Sequence, residues 1–340
     1  MTHSPNGRDA AGVPAAEVLV TGIGTALPGL TGPAGLLDPR PAREHEPVDP
    51  VDPGALIGRR GLRYKDRASQ LALCAAEASL RDAGLLADGA LSVPATSTGV
   101  VVSSNLGNLD TVCEVADGIK EHGVAGISPM GLPNASSNVP ASSVAIRHGL
   151  RGPNLMVCNG ATSGLDAVHW AAVMIRAGRA DRVLVVGVET ANRYVEGLLG
   201  RPSAELLDGA VALVLERASA AAERGAAGLA VLGAYAREAG VAACLDRLLG
   251  DRADNRRAPA LWFVPEGHRG NEAGDVPRHD LTHRFGSASG ALGVLQCAAA
   301  AGRLSAQGGD HRAGPVLVTS GGDRDDASAG FLLTPLPAAP

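Results

Sequence analysis

RGPNLMVCNGATSGLDAVHWAAVMIRAGRADRVLVVGVE, residues 151–189, decides how this chain folds. Leu155-Met156-Val157-Cys158 is a short continuous apolar run, the pattern of a strand covered on both faces. A turn follows at Asn159-Gly160. Ser163-Gly164-Leu165-Asp166 then has the spacing at which a Ser caps a helix and an acid three residues on returns the bond. Leu165, Val168, Ala172 and Ile175 recur at helical spacing until Gly178. Val183 to Val188 is a second apolar run. The stretch therefore predicts strand, sharp turn, helix, strand, with Ala161 at the mouth of the helix.

Such a corner suits a nucleophile, because the N–H groups at a helix start stabilise an anion and lower a thiol pKa. Here the position holds only a methyl group.

At 340 residues the chain can bury a large core, as two domains or one duplicated unit. Aromatics make up only 2% of it against 45% hydrophobic residues, which predicts an aliphatic, Ala-rich interior. A net charge of −5 argues against a nucleic-acid binder. The five cysteines sit in apolar contexts without a C-x-x-C pair, as for reduced thiols in a cytoplasm. The nine histidines are scattered away from ligand spacing, so no metal is expected. No apolar run reaches the roughly 18 residues of a membrane span, and the polar N-terminus lacks a secretory h-region.

Along the chain, residues 1–16 read as a disordered lead. Glu17 to Gly24 is a strand running into a Gly turn. Its G-x-G lacks the third glycine of a dinucleotide fingerprint, because Leu27-Pro28 stands where a helix should open. No cofactor is expected. The segment 28–53 reads as a covering loop, 66–83 as an amphipathic helix with Cys74 inward, 98–103 as a strand and 108–120 as a helix. The segment 127–149 is a loop followed by a helix, and 193–207 an apparent hinge. Strands are expected at 209–216, 229–236 and 261–264, a short helix at 241–249 and a surface loop at 251–257. Ser289-Gly290-Ala291-Leu292 then opens a helix running to Gly302-Arg303, followed by strands at 315–319 and 330–334. This echoes the 163–216 segment, so the chain reads as two related α/β halves, 17–217 and 218–340.

Several segments together resemble a thiolase-fold β-ketoacyl synthase: Ile127-Ser128-Pro129 with Pro133-Asn134, His148 to Pro153, Thr162-Ser163-Gly164, and Asp208-Gly209-Ala210 before the next strand. The resemblance covers nearly the whole chain after about Val18. It implies a duplicated α/β fold layered α-β-α-β-α, and a Cys-His-His set in which the Cys takes the acyl chain and the histidines support decarboxylation. In this sequence those positions fall on Ala161, Glu266 and Arg284, with His283 one residue away, so no catalytic residue is expected. The family's Gly/Phe loop becomes Ser320-Gly321-Gly322-Asp323, whose acid would oppose an oxyanion.

Three losses on an intact scaffold resemble the chain-length factor, the β subunit of heterodimeric type II polyketide ketosynthases, and specifically a branch serving highly reducing, polyene-making systems. Ala replaces that subunit's usual Gln, and much of the segment between Glu189 and Asp208 is missing. The implied partners are a catalytic ketosynthase subunit and an acyl carrier protein. The acyl tunnel would be lined by Leu109, Val112, Cys113 and Ala116 on one helix face. The small Leu109 and Ala116 imply a longer or slimmer tunnel than aromatics would leave. The subunit interface would include Pro133, Asn134, His148, Leu155 and Val157.

Alternatives stand beside these roles. Cys158 as a displaced nucleophile would lie roughly 10 Å along the strand from Ala161, in an apolar run that raises a thiol pKa, so the core is its expected place. Cys297 belongs there too. His283 replaces the second histidine if the register slips by one. Glu266 is either a decarboxylation base or the ion partner of Arg284 in a plugged site. The plug is favoured, since a carbanion needs donors. An independent decarboxylase or acyltransferase would use His283, Glu266 or Cys158. Arg59, Arg60, Arg63, Lys65 and Arg67 suit an acidic carrier protein or simply a solvated helix start. His148 reads as a cap or interface residue, and Trp170 and Met174 as packing.

Overall fold

The computed structural model describes residues 14, 16–37, 49–250, 258–307 and 314–337. Most of the expected 1–16 lead, part of the 28–53 loop and the 251–257 loop lie outside the described residues. Ten strands build the main sheet: β1 (Val18–Ala26), β2 (Thr98–Ser103), β3 (Asn154–Val157), β4 (Arg182–Glu189), β5 (Gly209–Arg217), β6 (Ala230–Glu238), β7 (Leu261–Phe263), β8 (Arg278–His279), β9 (Val316–Ser320) and β10 (Ser328–Thr334). Their spatial order is β8-β7-β9-β10-β6-β1-β5-β4-β2-β3. Counted from its own first strand, each run of five has the same order, and the two runs meet through Val18↔Leu232 to Val20↔Ala230.

The helices that matter for the site are α1 (Arg67–Asp82), α2 (Leu109–His122), α3 (Val139–His148), α4 (Ser163–Arg176), α5 (Arg193–Leu199), α6 (Val241–Leu249) and α7 (Leu292–Ala306). α1 and α3 cover the outer face of the first run, and α6 covers that of the second. α4 and α7 pack on each other and touch strands of both runs, forming the middle of an α-β-α-β-α stack. α7 is buried without a break from Leu292 to Ala301; its sequence there is apolar but for Gln296, whose amide donates to the Val264 and Thr319 carbonyls at 2.8 Å. Gly164 and Gly293 make this crossing possible. A Cβ on Gly293 would stand 2.4 Å from the Leu165 nitrogen, and one on Gly164 2.7 Å from the Gly293 nitrogen.

The N-terminal G-x-G has a packing cause as well. A Cβ at Gly24 would meet the Ala75 carbonyl at 2.1 Å, so this glycine lets α1 lie directly on β1. Asp66 caps α1 by accepting from the Ser69 N–H at 2.8 Å.

Several expectations need correction or refinement. β3 is an edge strand, paired only with β4's neighbour β2, so that Leu155 and Met156 are half-buried although helices lie against both of its faces; Cys158 just beyond it is exposed. Four apolar residues in a row do not distinguish an edge from a centre, because burial is set by what lies beside the strand. Ser163 is the first residue of α4 rather than its cap, and its hydroxyl accepts from the Asn159 N–H at 2.6 Å. The apparent hinge contains α5, capped by Asn192, whose side chain accepts from the Tyr194 and Val195 N–H groups. The 108–120 helix forms as α2, yet carries no buried residue; Val112 and Ile119 are exposed. Trp170 is likewise half-exposed rather than packed away.

Candidate functional site

The strands β2, β3 and β4 run parallel, as do β7, β8 and β9. Residues just past their carboxyl ends converge on a cleft, where α/β sheets place ligands. Its volume is about 860 Å³, and its walls include Asn105, Ala161, Arg201, Glu266, Ser287 and the 321–325 loop. A smaller cavity of about 170 Å³ lies against Asn159 to Thr162, with Arg237 and Arg324 at its edge. Ala161 lines both.

The corner at Ala161 is held from below by two polar hubs. Asp166, buried on α4, accepts from Asn159 Nδ2 at 2.6 Å and Thr162 Oγ1 at 2.8 Å, and also from the Tyr235 hydroxyl. Asn105 donates to the Gly160 carbonyl at 2.9 Å and Ser289 Oγ at 3.0 Å, and accepts from Ser163 Oγ at 2.9 Å. Beneath Asn105 lies Glu189, the last residue of β4. Its carboxylate accepts from the N–H groups of Asn105, Leu106 and Gly290 and from Ser104 Oγ. Burial pushes its pKa up to about 7, against the lowering effect of those four hydrogen bonds. Both halves of the chain are tied together at this point.

Of the three degenerate positions, two meet in the cleft. Glu266 lies there with Ala161, but its ion partner is not Arg284. Arg201 Nη1 pairs with Glu266 Oε1 at 2.5 Å, and Ser287 Oγ donates to Oε2 at 2.7 Å. Arg284 points elsewhere: its guanidinium donates to the Gly35 carbonyl and lies 5.1 Å from the Phe285 ring centre. The residue facing the cleft from this segment is Ser287, three positions on, because the short helix Thr282–Phe285 and Gly286 intervene. His283 does not line the cleft; its side chain is 82% exposed, 3.7 Å from Asp280.

The 320–323 loop also differs from expectation. Asp323 lies at the cleft, but its carboxylate accepts from the Val241 N–H at 3.1 Å, serving the start of α6 rather than an oxyanion position. The Gly322 N–H is engaged by Asp325 Oδ2 at 2.7 Å. A donor that this loop could turn on a substrate oxygen is thus already used.

Leu109, Val112, Cys113 and Ala116 line neither cavity. They share the outer side of α2, Leu109 and Cys113 half-buried, Val112 and Ala116 exposed. Pro133 is exposed, and Asn134 donates to the Tyr64 carbonyl at 2.8 Å. Val157 is buried and Leu155 half-buried against the core, so β3 offers its backbone edge rather than these side chains. His148 is buried beside Glu77 and Arg147, with burial lowering its pKa to about 4, and so is not a surface residue. Cys158 Sγ is 3.9 Å from the Asn105 carbonyl, and burial together with Glu189 raises its pKa, which makes it a poor nucleophile. Cys74 and Cys297 are buried as expected. Arg67 pairs with Asp208 at 2.7 Å and Lys65 donates to Ser143, leaving Arg59, Arg60 and Arg63 as the exposed part of the basic run. Among the described residues no group of three His, Cys, Asp or Glu side chains could hold a metal, and no helix is long and apolar enough to cross a membrane.

Sequence reasoning missed Arg201, Ser287, Asn105 and Glu189. Ser287 carries a weak signal, standing one turn before a helix of small residues. Nothing in the sequence near Arg201 announces a partner 65 positions away.

Residues 47–201 match the family described as beta-ketoacyl synthase, N-terminal domain. The tetracenomycin polyketide synthase ketoacyl synthase alpha subunit of Streptomyces glaucescens is 29% identical, with 84% of each chain aligned. A solved structure of the ishigamide ketosynthase/chain length factor superposes with a TM-score of 0.75 at 26% identity, covering 95% of this chain and 100% of that one. This chain has the thiolase-like fold of the ketosynthases. A 3-oxoacyl-[acyl-carrier-protein] synthase 2 of Rhizobium meliloti is 34% identical over 119 residues, 35% of this chain. The alignments to that relative and two further synthases span only 28–36% of the relatives' length.

The cleft has no thiol at its corner. Installing one by Ala161→Cys is expected to leave decarboxylative condensation undetectable, because Glu266 and Ser287 offer no imidazole and the Gly322 N–H is engaged. Product analysis with acyl and malonyl carrier-protein substrates checks this; measurable condensation by that variant would show the remaining site to be competent.

Proposed function

We propose that this chain is a non-catalytic chain-length-factor subunit. It pairs with an active β-ketoacyl synthase, lines the growing acyl chain's tunnel and limits product length. The observation that carries this reading is the cleft itself: a ketosynthase fold whose corner holds Ala161, facing a Glu266 committed to Arg201 and Ser287. Turnover then belongs to the partner.

The surface supports a partner of this kind. Seven of the eleven exposed large hydrophobic residues among the described residues lie on α2, α5 or the 124–132 segment, among them Val112, Ile119, Val124, Leu132 and Leu198. Such a cluster marks a protein interface more often than a solvated face. β3, with an unpaired edge, lies at the end of the same half-sheet. A catalytic ketosynthase is the occupant that fits both, since a related fold offers a matching edge, and the ishigamide neighbour is itself a ketosynthase/chain length factor. The exposed Arg59, Arg60 and Arg63, with Tyr64 5.1 Å from the Arg63 guanidinium, suit an acidic carrier protein bringing the chain.

The decisive experiment is co-expression with a catalytic ketosynthase followed by product analysis. Leu109→Trp or Ala116→Trp should shorten the product by several carbons while the pair still assembles, because each adds an indole to the α2 face assigned to the tunnel. Unchanged product length in an intact pair would remove the tunnel role. A lone chain that stays monomeric beside the ketosynthase would remove the pairing.

A further inference from the structure

The 190–208 segment crosses from α2 to the cleft and is bonded at both ends and on either side of α5. At its base, Asp208 accepts from Arg67 at 2.7 Å and from the Ala191 N–H at 3.4 Å. Val195 is buried, anchoring α5. On one side the Tyr194 hydroxyl donates to Asp117 of α2 at 2.8 Å, and Arg193 lies 3.9 Å from the same carboxylate. On the other side Arg201 holds Glu266 in the cleft. Beyond it the backbone clasps Ser287 from both directions, the Ser287 N–H donating to the Glu205 carbonyl at 2.8 Å and the Leu207 N–H to the Ser287 carbonyl at 2.9 Å. Leu198 and Leu199 are exposed on the span, and Leu199 also lines the cleft.

We infer that this segment is a strap that couples the α2 surface to the cleft, with the Arg201–Glu266 pair as its latch. The physical case is that Asp117 on α2 and Glu266 and Ser287 in the cleft all lie in different parts of the chain, and the strap is bonded to each. A protein settling on α2 and Leu198 must load Asp117 and α5. The same span ends on the two side chains, Glu266 and Ser287, that face Ala161 across the cleft. The partner's identity rests on the proposed pairing; the strap is tested in the lone chain.

Backbone hydrogen exchange of the full chain, read by mass spectrometry, decides between outcomes. Arg201→Gln should speed exchange across 201–207 and 266–272 by about fivefold, the scale of one partly exposed ion pair, with α1 unchanged. Tyr194→Phe removes only the contact to α2 and should still speed exchange across 266–272. If the Tyr194→Phe effect stops at 193–199, or Arg201→Gln leaves 266–272 unchanged, the coupling is wrong. With a catalytic ketosynthase bound, exchange should slow in 109–122 and in 266–272 together. Slowing confined to 109–122 also overturns the strap. No slowing at 109–122 counts against the pairing alone, and the lone-chain variants then decide the strap.

Discussion

Glu216→Ala is expected to destabilise the fold by about 3–5 kcal/mol, the range for removing one member of a buried ion cluster. Glu216, next to last in β5, stands directly across from Arg182, which begins β4, and is fully buried. Its carboxylate pairs with Arg182 Nε, accepts from Arg224 Nη2 at 2.7 Å and accepts from Thr21 Oγ1 at 3.3 Å. Arg224 in turn donates to the Ala83 carbonyl at 2.7 Å, so the cluster ties α1, β1, β4 and β5 together at the end of the sheet away from the cleft. Without Glu216, Arg182 stays buried with no countercharge, and that desolvation dominates the cost. A combined replacement of Glu216, Arg182 and Arg224 by apolar residues of similar size should cost much less. Urea titration of each variant measures the difference. A loss under about 1 kcal/mol for Glu216→Ala would mean the cluster is hydrated or weakly coupled.

Folding stability should fall as pH rises from about 4.5 to about 7 by roughly 3 kcal/mol, on account of Glu189. Its pKa in the folded chain is raised to about 7 from 4.5, by complete burial. Below 4.5 the carboxyl is neutral in both states and its full contribution is present. Above it the unfolded chain ionises into water while the folded group resists, so the contribution drains away until the folded group ionises as well. Glu189→Gln cannot ionise, and its stability should lack this slope. Chemical denaturation of both proteins at about pH 5 and about pH 8 checks the sign. Parallel pH dependence in the two would show that the four hydrogen bonds, not burial, govern this carboxylate.

Much of the fold was legible where local pattern and burial coincide. The strands at 98–103 and 183–188 and the helices at 66–83 and 241–249 follow from apolar runs, helical spacing and an Asp cap. The resemblance of the 163–216 and 289–334 segments reappears as two runs of five strands with matching order. The family resemblance, rather than local pattern, pointed to Ala161 and Glu266; both line the cleft, each just past the end of a parallel strand. Arg284 does not reach the cleft because a single-turn helix and Gly286 rotate the chain first, and three residues suffice to exchange a cleft position for one directed at the Gly35 carbonyl. Cys158 and the full burial of β3 were misjudged because apolar sequence reports a residue's preference, whereas exposure depends on whether another strand lies alongside.

The amino-acid order of this protein by itself determined the aliphatic core, the duplicated α/β pattern and the missing thiol at the helix mouth, since each depends on residues near one another in the chain. Only the tertiary structure decided which charges meet. Arg201 with Glu266, Arg182 and Arg224 with Glu216, and Asp325 with the Gly322 N–H are set by loop paths and close helix crossings. A guanidinium has no preference along the chain for one carboxylate over another; the backbone must first bring the two within bonding distance.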